Sequence, residues 1–135
     1  MKLIDLYAMP ALWDVPYRLL QEREFHQSIS HKAMPTWEEH CGFIRSHPYK
    51  AWYLIQTPLS EMAGCVYLSR QREIGIGILK KHRGQGLAKQ AIAELMKRHP
   101  GRFLANIAPG NQESISLFEH FGAKLIQYTF EMDPK

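Results

Sequence analysis

A change from a strand pattern to a helix pattern occurs in residues 73–98, EIGIGILKKHRGQGLAKQAIAELMKR. Every second residue from Ile74 to Ile78 is isoleucine, which predicts a strand over residues 73–79. A polar turn with two glycines follows, and apolar residues then recur at helical spacing as far as residue 98. This order of elements predicts an anion-binding site, because the first N–H groups of a helix have no partner within it and the helix dipole is positive there.

The two glycines of the turn, Gly84 and Gly86, would let a phosphate approach the backbone without meeting a Cβ. Their spacing is that of neither a Walker loop nor a dinucleotide-binding fingerprint. Residues 83–88, RGQGLA, fit Arg/Gln-x-x-Gly-x-Gly/Ala after an apolar strand. In this respect the chain resembles the coenzyme A loop of the GNAT family of N-acetyltransferases. The alternative is a helix start with incidental glycines.

Length and composition indicate a single ordinary globular domain, residues 1–135, with 45% hydrophobic and 22% charged residues. The first residues read as neither a signal peptide nor a membrane span, and Cys41 and Cys65 lack the spacing of metal ligands, as do the scattered histidines. We therefore expect a cytoplasmic protein without a metal site and without a membrane partner. The net charge of +4 suits an anionic ligand such as coenzyme A as well as it suits nucleic acid.

Strand and helix patterns along the chain predict the order β-α-α-β-β-β-α-β-α-β. This is an α/β (α+β) architecture with a mixed central sheet of about six strands and four helices. The predicted strands are 2–9, 51–57, 63–70, 73–79, 102–107 and 124–132, and the predicted helices are 14–24, 37–47, 87–98 and 112–121. The order resembles the GNAT acyl-CoA N-acyltransferase fold along nearly the whole chain.

Residues that favour helix ends stand at the limits of the predicted helices. Asp14 is a fair cap for the first helix, and Thr36 with Glu39 has the spacing of a capping box. Asn111 can cap the last helix, and Gly122 stands where a C-terminal glycine belongs.

A second motif strengthens the resemblance. Asn111-x-x-Ser114-x-x-x-Phe118-x-x-x-Gly122 is similar to the Asn-x-x-Ala/Ser-x-x-x-Tyr-x-x-x-Gly-Phe helix of the family. Phe118 departs from it, because a phenylalanine has no hydroxyl with which to protonate a leaving thiolate. Water, Tyr128 or His120 would then supply that proton, or no acid is needed, since a thiolate is a tolerable leaving group.

The resemblance implies a binding site for acetyl-CoA as co-substrate. It places the phosphates on the backbone of residues 84–89 with charge from Arg83 or Lys89, and the pantetheine arm along the strand that ends near Ile78 and Lys80. The implied coenzyme-binding residues are Ile78, Lys80, Arg83, Gly84, Gln85, Gly86, Leu87, Ala88, Lys89, Asn111, Ser114 and Phe118. For Asn111, the alternative is a helix cap only.

The resemblance also implies where acetyl transfer would occur. Glu73 stands where family members often carry a glutamate that acts as the base, directly or through water, and Asn106 could bond the arm or the acetyl carbonyl. The alternative for Glu73 is an exposed charge at a strand start. The region that walls the acceptor site in the family supplies the candidates His31, Met34, Trp37, Glu39 and His40. These could equally be surface residues, or core in the case of Met34 and Trp37.

The resemblance therefore implies an N-acetyltransferase that acts on a primary amine of a small molecule, such as an amino sugar, a nucleotide-linked amine or a polyamine. Acetylation of a protein N-terminus or lysine is the second enzymatic alternative. A non-catalytic acyl-CoA-binding or nucleic-acid-binding module is the alternative of another class, although the chain has no arginine-rich stripe with interleaved aromatics.

The end of the chain predicts a homodimer. Most GNAT members carry a seventh strand, for which about a dozen residues remain after Gly122. A last strand without its neighbour would leave an apolar edge at Leu125, Ile126 and Tyr128. The alternatives to a second subunit at this edge are that the edge is short or that a loop covers it.

Overall fold

The computed structural model describes residues 1–23 and 33–134, so the acceptor-site candidate His31 lies outside the described residues. The strands are β1 Lys2–Asp5, β2 Tyr49–Gln56, β3 Met62–Ser69 and β4 Ile74–Ile78. The helices are α1 Asp14–Glu22, α2 Trp37–Arg45, α3 Leu87–Arg98 and α4 Gln112–His120, and short 3-10 turns occur at Leu6–Ala8, Pro10–Leu12 and Lys80–His82. Among these described helices, none is long and apolar enough to cross a membrane.

The four strands form one antiparallel sheet in the order β1-β2-β3-β4. Alternating residues of the strands face two different apolar clusters. Ile55 and Val66 pack with the inner faces of α3 and α4, whereas Leu54 and Cys65 pack with α1 and α2. The sheet is therefore the middle layer between two pairs of helices, which confirms the predicted class.

Most of the predicted signals at the helix ends are confirmed. Thr36 and Glu39 form the reciprocal capping box of α2, and the Asn111 side chain accepts the Ser114 N–H at the start of α4. Gly122 follows α4 with a φ of +83°, the left-handed conformation that glycine adopts without strain.

The start of the first helix differs in part from the prediction. Asp14 is the first helical residue rather than the cap, since Trp13 holds the cap position without a side-chain hydrogen bond. The Asp14 carboxylate instead lies 3.4 Å from Arg18 one turn later. The preceding strand β1 is also shorter than predicted, because Asp5 accepts the Tyr7 N–H and starts a 3-10 turn.

The sheet has four strands among the described residues instead of the predicted six. Residues 102–107, here called the Leu104 segment, make only an isolated parallel bridge between Leu104 and Glu73. The segment then separates from β4, so no strand ladder develops. Residues 124–132 form no strand either, and their apolar side chains are exposed.

Candidate active site

The glycine turn after β4 has the geometry that an anion needs. Gly84 and Gly86 have φ values of +80° and +72°, and Gly86 is the N-cap residue of α3 without any side-chain cap. A Cβ at Gly84 would meet no atom within 4 Å, and one at Gly86 would meet only the Gln90 amide nitrogen at 3.9 Å. The turn therefore leaves room for an anion beside the start of α3, whose first N–H groups have no side-chain cap.

A gap opens between β4 and the Leu104 segment. The Ile74 N–H donates to the Leu104 carbonyl at 2.8 Å, and the Leu104 N–H donates to the Arg72 carbonyl at 2.9 Å. Backbone groups of alternate residues point to the same side of a strand, so Ile76 and Ile78 direct their N–H and C=O groups away from β3 and into the gap. An extended ligand with amide groups could pair there as another strand would.

Two side chains contact the backbone near the wide end of this gap. The Arg83 Nε donates to the Ile78 carbonyl at 3.3 Å, and the Lys80 N–H donates to the Glu22 carboxylate at 2.8 Å. The Ile78 carbonyl oxygen keeps a second lone pair that a ligand could use, whereas the Lys80 N–H has only one hydrogen to donate. A ligand could therefore accept the Lys80 N–H only if the Glu22 carboxylate no longer accepted it.

Glu73 is held in place where the gap begins. One of its carboxylate oxygens accepts the Ser69 hydroxyl at 2.9 Å, and the other accepts the Asn106 side-chain amide. The Glu73 N–H in turn donates to the Ser69 hydroxyl oxygen at 3.0 Å. Glu73 and Asn106 were each predicted from the sequence, whereas Ser69, which lies four residues before Glu73 across the tight turn, was not.

A cavity of about 610 Å³ is lined by Glu73 and by residues 74–77 of β4, and it is here called the β4 cavity. From the predicted set it is lined by Glu39 and His40 of α2, and by Glu73, Asn106, Asn111, Ser114 and Phe118. The proposed catalytic and α4 residues thus share one cavity with two of the acceptor-site candidates.

Aromatic rings form one wall of the β4 cavity, and sequence reasoning missed them. Tyr49 and Tyr67 stack with ring centroids 3.8 Å apart, and Trp52 meets the Tyr49 ring edge-on at 4.8 Å. A Cβ at Gly75 would collide with the Tyr67 ring, so glycine is what lets this ring lie over β4. Gly75 within a strand signalled a close approach to β4, but the sequence did not show which side chain makes it.

Of the α2 candidates, His40 is the most tightly held. It is 3% exposed, and its Nε2 lies 2.8 Å from the Trp13 carbonyl oxygen. Because a carbonyl only accepts, Nε2 carries the hydrogen and Nδ1 is left as an acceptor. Burial lowers the pKa of His40, although the Trp13 carbonyl acts in the opposite direction. His40 is thus an oriented imidazole in the cavity wall, and its burial favours the neutral form.

The other acceptor-site candidates are less enclosed. The Glu39 carboxylate accepts the Thr36 N–H at 2.8 Å, and this bond and the Thr36 hydroxyl lower the pKa of Glu39. Met34 and Trp37 are 44% and 46% exposed and are not among the cavity residues, so the alternative of core positions for them is wrong. Trp37 packs edge-on against Tyr17 at 5.3 Å.

Phe118 is buried in the cavity wall, where it can contact a ligand by its ring alone. Neither predicted substitute for a tyrosine hydroxyl is near it. Tyr128 is 75% exposed beyond α4, and His120 is exposed and packs on Phe121, so neither lines the cavity. Hydroxyl groups that do lie in the lining belong to Tyr49, Tyr67, Ser69 and Ser114.

Several solved structures have the same fold. A ribosomal-protein-alanine N-acetyltransferase from Brucella melitensis is 17% identical, with a TM-score of 0.68 over 90% of this chain and 83% of that one. An N152L mutant of the spermidine N-acetyltransferase SpeG from Vibrio cholerae is 17% identical, with a TM-score of 0.68 over 90% and 77%. The Salmonella typhimurium protein yncA, solved with its cofactor acetyl-CoA, is 16% identical, with a TM-score of 0.68 over 90% and 78%.

The sequence comparisons decide the family. No curated protein sequence matches the chain. The profile of the Acetyltransferase (GNAT) family matches residues 13–123, which run from the end of the second 3-10 turn to just past α4. The open glycine turn and the gap beside β4 fit the acetyl-CoA that this family uses. The chain therefore belongs to the GNAT family and is an acetyl-CoA-dependent N-acetyltransferase.

Proposed function

We propose that this protein transfers the acetyl group of acetyl-CoA directly to a primary amine of a small molecule, with both substrates bound together. The observation that carries the proposal is the position of Glu73. Its carboxylate lies in the β4 cavity, at the point where β4 and the Leu104 segment separate, and Ser69 and Asn106 fix its orientation. A base at this point would lie close to the acceptor amine and also to the acetyl group of a coenzyme whose pantetheine arm occupies the gap.

The coenzyme would lie along β4. Its phosphates would bind the N–H groups of residues 84–89, with Arg83 or Lys89 adding positive charge. The pantetheine arm would pair with the backbone groups of Ile76 and Ile78 that point away from β3, and it would approach Asn111, Ser114 and Phe118 in the cavity wall. The length of β4, about 16 Å at ~3.3 Å per residue, separates the phosphate site from Glu73.

The reaction needs the acceptor nitrogen as a free amine. Glu73 would take the proton of the ammonium, directly or through water, and the nitrogen lone pair would form the C–N bond to the acetyl carbonyl carbon. The C–S bond then breaks and the thiolate leaves with its electron pair. Asn106 would hold Glu73 and lie close to the acetyl carbonyl. The nitrogen must lose a second proton to become an amide, and a water would pass this proton to the leaving thiolate, since Phe118 cannot donate one.

The cavity walls favour a small cationic acceptor. Its volume of about 610 Å³ lies within the usual range of small-molecule sites, roughly 300–1,000 Å³. Tyr49, Tyr67 and Trp52 give the cavity an aromatic wall, and the carboxylates of Glu39 and Glu73 add negative charge against the positive charge of Arg23. Polyamines, amino sugars and nucleotide-linked amines carry ammonium groups. Of the three structural neighbours described above, one is named for spermidine and one for a ribosomal protein, so a protein N-terminus is the second candidate.

Thiol release from acetyl-CoA with a panel of amines tests the acceptor class. We expect kcat/KM for polyamines or amino sugars to exceed that for N-terminal and lysine peptides by at least about tenfold, the effect of 1.4 kcal/mol of binding in the aromatic wall. Mass spectrometry of the acceptor would confirm one added acetyl group. Peptides as the best acceptors would favour the protein substrate, and coenzyme binding without release for any amine would favour a binding module.

A further inference from the structure

The β4 cavity contains charges of both signs. Among the described residues of its lining, Glu39 and Glu73 carry carboxylates and Arg23 carries the one guanidinium. A guanidinium stays protonated at physiological pH, so this part of the wall is a fixed positive charge. A polyamine, which carries only positive charge, would be attracted by the two carboxylates but repelled by Arg23. The charge of Arg23 therefore bears on which kind of amine binds here.

The end of α1 holds Arg23 at the cavity. The Arg23 N–H donates to the Leu20 carbonyl at 3.3 Å, which closes the last turn of the helix. The preceding residue, Glu22, accepts the Lys80 N–H at 2.8 Å, and this contact joins the end of α1 to the end of β4. The backbone of Arg23 thus has a defined position beside β4, from which its side chain enters the cavity lining.

The aromatic wall connects Arg23 with the place of acetyl transfer. Burial raises the pKa of Tyr49, and the positive charge of Arg23 acts in the opposite direction, so the guanidinium lies near this ring. Tyr49 is also the register partner of Ser69, whose hydroxyl donates to the Glu73 carboxylate at 2.9 Å. An acceptor that lies against Tyr49 could therefore place one end near Glu73 and another near Arg23.

The Arg23 side chain is accessible to a ligand. The residue is exposed, and none of the ion pairs formed within residues 1–23 and 33–134 includes it. Its N–H donors are therefore not used by a carboxylate of those residues. The planar fork of a guanidinium matches two oxygens of a carboxylate or a phosphate, which it can bind with two parallel hydrogen bonds.

We propose that the acceptor carries, besides its primary amine, a carboxylate or phosphate group that binds Arg23. This inference rests on the proposed function and narrows its acceptor class. The amine lies at Glu73, the uncharged part of the acceptor contacts the aromatic wall, and the anionic group pairs with the guanidinium. Amino acids, phosphorylated amino sugars and nucleotide-linked amines have both groups, whereas polyamines lack the anion.

Thiol release with matched pairs of acceptors tests the proposal. Tyrosine differs from tyramine by a carboxylate, and glucosamine 6-phosphate differs from glucosamine by a phosphate. In at least one pair we expect the anionic member to have a kcat/KM higher by a factor of roughly ten to a hundred, the usual effect of hydrogen bonds to a charged group. The pair that shows the preference identifies the anion. Equal kcat/KM within both pairs would overturn the proposal.

Arg23→Gln tests whether this side chain causes the preference. We expect the ratio of kcat/KM between the two members of the pair to fall to about one, because glutamine can donate a hydrogen bond but has no charge. Arg23→Lys should keep part of the ratio, since lysine retains the charge without the planar fork. Arg18→Gln alters an exposed arginine of the same helix outside the cavity lining and should keep the full ratio. A ratio that survives in Arg23→Gln would overturn the proposal.

Calorimetric binding of the same four amines, with coenzyme A present, separates this inference from the proposed function. Thiol release without any preference for the anionic members would contradict the role of Arg23 and leave acetyl transfer to amines intact. If none of the four amines releases thiol, binding still decides about Arg23. Tighter binding of an anionic member that Arg23→Gln abolishes would support the anion site and count against the transfer, whereas equal or absent binding of both members would overturn the inference.

Discussion

Replacement of Glu73 by glutamine is expected to lower turnover at pH 7 by about a hundred- to ten-thousandfold, the usual contribution of a positioned base. Glutamine keeps the size of the side chain and can still accept from Ser69, but it cannot take a proton. A lysine-like amine with a pKa of about 10 is almost fully protonated at pH 7. Turnover of the variant should therefore rise with pH as free amine becomes available, and should approach that of the unaltered enzyme at alkaline pH.

Two controls make the Glu73 result specific. Coenzyme binding should be unchanged, because the phosphate site lies at the other end of β4. Glu119→Gln alters an exposed glutamate of α4 outside the cavity lining, and should leave turnover as it is. Turnover of Glu73→Gln equal to that of the unaltered enzyme at pH 7 would remove Glu73 from the reaction and make His40, with its acceptor Nδ1, the next base to test.

Gly86→Ala is expected to abolish most of the stabilisation that acetyl-CoA gives to the folded protein. A ligand at a hundredfold excess over its Kd stabilises the native state by about 2.7 kcal/mol, which is measured as a rise in melting temperature. Gly86 has a φ of +72° at the cap of α3, so a methyl group there strains the turn and narrows the space left for a phosphate.

Gly122→Ala is the matched control for the glycine turn. Gly122 has a φ of +83° and an equally open surrounding, but it ends α4 and does not belong to the turn. Both variants should lose a similar amount of intrinsic stability, of order 1 kcal/mol. Only Gly86→Ala should also lose the ligand-induced shift. Equal ligand-induced shifts in the two variants would exclude the turn as the phosphate site.

The sequence predicted the part of the site that depends on local patterns. The glycine turn, the start of α3 and the Asn111 cap follow from residues a few positions apart, because helix ends need particular backbone conformations and hydrogen-bond partners. Glu73 could be located in the same way, because it directly precedes β4, the strand that leads into the glycine turn. The family pattern then supplied a role for it.

The parts that depend on distant contacts were not predictable. Tyr49 and Tyr67 meet only because β2 and β3 pair in register and Gly75 leaves room for a ring on β4. Residues 102–107 have a strand composition, yet they separate from β4 after one bridge, which no local pattern reveals. Residues 126–133 alternate strictly between apolar and polar side chains and still form no strand here, because a strand needs a partner as well as a pattern.

A crystal structure of the protein with coenzyme A tests the central claim most directly. We expect the pyrophosphate within hydrogen-bond distance of the N–H groups of residues 84–89, and the pantetheine arm in the gap between β4 and the Leu104 segment. The sulfur should lie in the β4 cavity beside Glu73 and Asn106. Phosphates bound away from the start of α3, or a sulfur outside the cavity that holds Glu73, would contradict the account.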